Sequence, residues 1–269
     1  MTKIHGVLGL VSAALVLACT SASHADPAAP AAQGGQGGGE FRYKKALADG
    51  AKVEVRNVNG PIVAEPAAGD TLEVVAVKTG RPEDVARVQI TAREEGGAIV
   101  LCALWPGEDA SACRAGSRGG SAHDIDATVE LKLRVPAAVK SLSARTLNGR
   151  IAATGLHGEA RLATLNGAVT VDAGGPIVAT TLNGAVDAKT AGGSPVRLET
   201  TNGAITLALP ASAGADVYAA TTAGLITSDF GAVPPPSIPM MHSARFRVGA
   251  GGAAVTLRTT HGDVHVRRL

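Results

Sequence analysis

The sequence predicts an all-β chain: a parallel, β-helix-like β-solenoid of ~18-residue coils, preceded by an irregular β-rich N-terminal region. Three observations predict it. A short phrase returns as Thr146-Leu147-Asn148-Gly149, Thr164-Leu165-Asn166-Gly167, Thr181-Leu182-Asn183-Gly184 and Thr200-Thr201-Asn202-Gly203. It decays to Thr221-Thr222-Ala223-Gly224 and returns as Thr259-Thr260-His261-Gly262, with steps of 18, 17, 19, 21 and then 38 residues, the last being twice 19. Residue types also hold columns around the Asn: Thr stands two positions before it in every copy, and Ile151, Val169, Val186, Ile205, Ile226 and Val264 stand three after it. Finally, Gly174-Gly175, Gly192-Gly193, Gly214 and Gly251-Gly252 separate one copy from the next, as corners do.

Two arrangements fit such a unit. Asn-Gly between alternating runs is the strongest local hairpin signal, and a type I′ turn would pair the flanking strands antiparallel. Alternatively Asn-Gly is a corner, bending through positive φ, and each copy is one coil stacked on the next. A hairpin asks only for compatible cross-strand partners, whereas stacked coils set like on like. The columns therefore favour the solenoid, with the Asn column able to form a stacked amide ladder.

Taken in order, residues 1–25 read as a signal peptide. Lys3 supplies a weak basic start, Gly6–Ala18 an apolar run of h-region length, and Ser23-His24-Ala25 a small-x-small cleavage site. Cys19, after Leu15-Val16-Leu17-Ala18, offers a rival lipoprotein reading. Residues 26–39, Pro, Ala, Gln and Gly after Asp26, read as a disordered tether. Residues 40–145 form the N-terminal β region: Lys52–Arg56 and Thr71–Val77 alternate as half-buried strands do, Pro82–Arg87 fits one helical turn, and Thr128–Val135 stops at Pro136. Asn59-Gly60, followed by Ile62, is an isolated first copy of the phrase. Residues 146–269 are the Asn-Gly repeats, interrupted where the step doubles by Val233–His242, a Pro-rich loop inserted in or replacing part of a coil.

Removing the signal peptide leaves two cysteines, Cys102 and Cys113, eleven positions apart around the loop Trp105-Pro106-Gly107-Glu108-Asp109. In an exported chain such a pair predicts a disulfide. No second apolar run approaches ~18 residues, so no transmembrane segment is expected.

Composition narrows the job. One Trp, two Tyr and three Phe mean a thin aliphatic core and few stacking platforms for sugars or bases. A formal charge of +2 argues against nucleic acid.

Several phrases together, Val55-Arg56-Asn57-Val58-Asn59-Gly60-Pro61-Ile62-Val63, then Leu133-Arg134-Val135-Pro136 leading into Leu142-Ser143-Ala144-Arg145-Thr146-Leu147-Asn148-Gly149, and the later copies, resemble the bacterial putative-adhesin, β-strand-repeat family of unknown function. The resemblance spans about residues 40–269. It implies an exported or envelope-associated protein with β-helix-like repeats and no agreed catalytic residues. Ala223 and His261 in the Asn column, the Pro-rich stretch and the cysteine pair depart from that pattern.

Chemistry is sparse. His261, Asp263 and His265 share a strand face at metal-ligand spacing, but Val264 and Val266 pointing inward would make them a solvated face. His123-Asp124-Ile125-Asp126 reads as polar edge residues. The acids of the repeats, among them Asp172 and Asp187, share no column, and no nucleophile elbow, phosphate loop or calcium repeat is present. The expectation is thus a non-enzymatic, exported protein of the periplasm or cell surface, without cofactor. Its repeat face would offer Thr and Asn to a glycan or another envelope protein. A carbohydrate-active β-helix enzyme and a structural or stress-response module are the alternatives.

Overall fold

The computed structural model describes residues 36–37, 39–116, 125–233 and 242–269. The signal peptide with Cys19, nearly all of the tether, His123, Asp124 and most of the Pro-rich stretch lie outside these. Among the described residues twenty-one strands run β1 (Gln36–Gly37), β2 (Glu40–Ala46), β3 (Ala51–Arg56), β4 (Ile62–Pro66), β5 (Thr71–Gly80), β6 (Gln89–Glu95) and β7 (Ala98–Leu104). They continue as β8 (Ala127–Val135), β9 (Val139–Arg145), β10 (Ile151–Leu156), β11 (Glu159–Ala163), β12 (Val169–Ala173), β13 (Ile177–Thr180) and β14 (Val186–Thr190). The last are β15 (Val196–Glu199), β16 (Ile205–Leu209), β17 (Ala215–Thr221), β18 (Ile226–Ser228), β19 (His242–Val248), β20 (Ala253–Arg258) and β21 (Val264–Arg268). A short α-helix, α1 (Pro82–Val85), starts on its proline, where the missing N–H costs nothing.

The strands form two large mixed sheets. One has eleven strands in the order β1-β2-β5-β8-β4-β10-β12-β14-β16-β21-β18, the other ten in the order β19-β17-β20-β15-β13-β11-β9-β3-β7-β6. The strands flanking each Asn-Gly never pair with each other: β9, β11, β13 and β15 lie in the ten-stranded sheet, β10, β12, β14 and β16 in the eleven-stranded one. Each Asn-Gly is a corner between sheets, and the hairpin alternative falls.

Within each sheet equivalent positions meet. Ile151, Val169, Val186, Ile205, Val264 and Ile226 are successive parallel partners. So are Ala144, Leu162, Ala179, Leu198, Leu257 and Ala219 on the other wall. Nearly all are fully buried in one aliphatic core that runs without a break from Phe41 to Val266.

Two features differ from expectation. The region read as irregular extends both sheets: β3 pairs in parallel with β9, β4 with β10, and Asn59 bridges Asn148. The layers also do not follow chain order. The last copy, β20 and β21, lies between the layer of β15/β16 and that of β17/β18. The doubled step is a detour in which β19 runs back antiparallel along β17 before the chain re-enters beside β17's other edge. Asp216 on β17 fastens this detour, accepting from Arg247 Nε and from the Gly252 N–H, both at 3.2 Å.

Candidate binding groove and the corner column

The repeated phrase builds a column whose three members have separate tasks. The Asn amides form a ladder: Asn148 Nδ2 donates to Asn59 Oδ1 (2.8 Å), Asn166 to Asn148 (2.7 Å), Asn183 to Asn166 (2.8 Å) and Asn202 to Asn183 (2.8 Å). His261 and Ala223, far apart in sequence, are consecutive at the end of this stack, so the departures leave the ladder uninterrupted.

The Thr hydroxyls turn inward. Thr164, Thr181 and Thr200 donate to the carbonyls of Gly149, Gly167 and Gly184, each at 2.9 Å, and Thr146 to those of Val58 and Gly60. All four are buried. A buried carbonyl without a donor is costly, which accounts for the Thr column. The expectation of a polar Thr and Asn face offered to a glycan is therefore corrected: the Thr members are inside and occupied.

Gly149, Gly167, Gly184 and Gly203 are set by close approach. A Cβ on Gly184 would stand 2.1 Å from the Gly167 oxygen, and one on Gly203 2.0 Å from the Gly184 oxygen. Gly149 and Gly167 have φ of +156° and +152°, while Gly184 and Gly203 lie outside the positive region. The layers are too close for any side chain there.

Cys102 and Cys113 are bonded, with Cα atoms 5.8 Å apart, and both are buried with Ala98, Val100 and Leu104 on the outer side of β7. The bond draws the loop after Trp105 back across the ten-stranded sheet. Its far end is tied down where Gly116 N–H donates to Glu54 Oε2 (2.8 Å) and Ala115 N–H to Glu95 Oε2 (3.2 Å). Between this segment and β3, β9 and β11 lies an open groove of about 700 Å³. Lys52, Lys140, Arg145 and Arg161 surround it together with Glu54, Glu159, Ser141 and Ser143. Glu159 is paired with Arg161 and accepts from Ser141 Oγ. Lys52, Lys140 and Arg145 have no carboxylate partner among the described residues. The groove is therefore cationic and has side-chain hydroxyls, an arrangement suited to a carboxylate or phosphate. None of these residues stood out in the sequence as a binding group, and only the cysteine pair pointed toward the place.

The three residues at metal-ligand spacing, His261, Asp263 and His265, are not gathered into a metal-holding group among the described residues. Asp263 Oδ1 accepts from Leu225 N–H (2.8 Å), His265 Nδ1 meets Thr227 Oγ1 (2.9 Å) and its Nε2 meets Asp229 (3.2 Å), while His261 is exposed. Asp229 is held below the usual carboxylate range, first by the Arg268 N–H and then by His265 and Arg268. Asp126 lies 3.9 Å from Arg81.

No family model and no curated protein matches the chain. Solved structures with a similar course of the chain include a putative cell adhesion protein from Clostridium sporogenes, 12% identical, covering 86% of this chain and 100% of that one with a TM-score of 0.49. A putative adhesin from Bacteroides fragilis is 11% identical over 86% and 97% of the two chains, with a TM-score of 0.29. A putative lipid binding protein from Parabacteroides distasonis is 8% identical over 86% and 97%, with a TM-score of 0.23.

Proposed function

We propose that this is an exported, non-catalytic envelope protein: a β-solenoid whose two sheets are the walls of stacked coils and whose binding surface is the outer face of the ten-stranded sheet, centred on the cationic groove. The observation that carries this reading is the disulfide-held segment closing one side of a groove in which Lys52, Lys140 and Arg145 lack a carboxylate partner among the described residues. A disulfide fits an oxidising compartment. General acid–base chemistry needs a carboxyl group placed to exchange a proton with the ligand; in this groove Glu54 is occupied by a backbone N–H and Glu159 by Arg161 and Ser141. The residues bind; they are not arranged to cut.

The test is retention of the chain from residue 26 on fractionated cell envelope, beside a Lys140→Glu/Arg145→Glu variant. The wild type is expected to be retained and the variant to be washed off. Equal retention, or none for either, refutes the reading. Mass spectrometry of the mature N-terminus decides between cleavage after Ala25 and lipidation of Cys19.

A further inference from the structure

The groove is one end of a longer feature. Arg145 shares its register position with Ala163, Thr180, Glu199 and Arg258 on successive parallel strands of the same face. Four strand spacings place Arg258 ~19 Å from Arg145 along the stack. There Arg258 and Arg245 both lie over the Tyr218 ring, 5.2 and 5.0 Å from its centre. Neither has a carboxylate partner among the described residues. The nearby acids are already paired, Glu199 with Arg197 (2.8 Å) and Asp216 with Arg247 (3.2 Å). The formal charge of +2 thus conceals a face with unpaired cations at both ends. The path between them passes the small side chains of Ala163 and Thr180 and then Glu199, whose charge is taken up by Arg197.

We propose that this face binds an extended acidic polysaccharide, a carboxylate-bearing chain lying along the stack with one stretch in the groove and another on Arg245, Tyr218 and Arg258. The inference rests on the binding-surface reading above and gives it a ligand class. A sugar ring in an extended chain advances by about one strand spacing, ~4.8 Å, so successive rings meet equivalent positions of successive layers. Guanidinium groups pair carboxylates in a bidentate way, and cations stacked on an aromatic ring are held ready. Neither cluster alone needs to bind tightly. Bridging both turns the second contact into an intramolecular one, so affinity depends on chain length.

The experiment is calorimetry of the chain from residue 26 with oligogalacturonates of three and of eight sugars at low salt. The octamer is expected to bind at least about tenfold more tightly than the trimer, within the range avidity supplies. Arg245→Gln/Arg258→Gln, both at exposed positions, remove the two guanidinium groups over Tyr218 and should lower octamer affinity to the trimer's and leave the trimer unchanged. Lys140→Glu/Arg145→Glu should abolish both. Circular dichroism melts of each variant establish that it is folded. Equal affinity for the two lengths overturns the proposal. So does an octamer unaffected by Arg245→Gln/Arg258→Gln, or equal binding of a neutral octasaccharide, a single-stranded DNA or anionic vesicles. Envelope retention that Lys140→Glu/Arg145→Glu removes, without oligogalacturonate binding, would overturn this ligand class and leave the proposed function standing.

Discussion

Gly184→Ala separates crowding from backbone conformation as the reason for the glycine column. The added Cβ would meet the Gly167 oxygen at 2.1 Å, its carbon at 2.5 Å and the Ala168 nitrogen at 2.9 Å, all backbone atoms. Ordinary contact begins near 3.4 Å, so the layers must part by roughly 1 Å at this corner, well beyond what a close-packed interior absorbs without loss. The bonds at stake are Gly167 N–H to Asn183 O (2.8 Å), Gly184 N–H to Asn202 O (2.9 Å) and Thr181 Oγ1 to Gly167 O (2.9 Å). Three such bonds at ~1 kcal/mol each give a loss of about 3 kcal/mol. The control is Gly193→Ala, where φ is +80° but no atom lies within 4 Å of the new Cβ. It bears only the left-handed penalty of about 1–2 kcal/mol. Urea unfolding followed by circular dichroism measures both. If Gly193→Ala costs as much as Gly184→Ala, the crowding argument is wrong.

Thr181→Val keeps the shape but takes the hydroxyl from Gly167 O, and should cost about 1–2 kcal/mol in the same unfolding assay, whereas Thr181→Ser should cost less. Reducing the Cys102–Cys113 bond, or replacing both with Ala, should remove ~2–3 kcal/mol by the chain-entropy argument and weaken ligand binding as well, because the 113–116 segment loses its tether; unchanged binding would detach the loop from the groove. Asp84 is buried, accepts from the Asp126 N–H (3.0 Å) and pairs with Arg81 (2.8 Å) and Arg87 (3.5 Å). The Asp126 N–H first, then the two arginines, hold its pKa below the usual value. A depressed folded pKa contributes stability that is present above the unfolded value of about 3.9 and is lost as pH falls through the lower folded one. Melting temperatures of wild type and Asp84→Asn should therefore differ above pH ~4 and converge below it; a constant gap would contradict this.

The columns were legible because stacking sets identical positions against each other, so selection for packing leaves the same residue at each step. The order of the layers was not. Thr221 and Thr259, or Ile226 and Val264, fit above Thr200 and Ile205 equally well, and nothing periodic distinguishes them. What distinguishes them is single and unrepeated: Asp216 holding Gly252 and Arg247, and the Gly251 oxygen 2.3 Å from where a Gly214 Cβ would stand. The inward turn of the Thr hydroxyls was likewise hidden, since Thr suits either face of a strand. The groove was invisible for another reason. Gly116 and Glu54 meet across 62 positions, and the cations around them, Lys52, Lys140, Arg145 and Arg161, come from three strands and share no column of the repeat. Only the cysteine spacing signalled that a loop would be drawn back there.

The out-of-order layer has a consequence for synthesis. A ribosome delivers residues 215–228 before residues 253–268, yet the later stretch must end up between the earlier one and β15/β16. Until then the amides and carbonyls along β15 and β16 await partners that have not been made. Stop codons after 252 would therefore remove a middle floor of the building and leave its roof with nothing beneath, so such truncated chains should be insoluble or degraded.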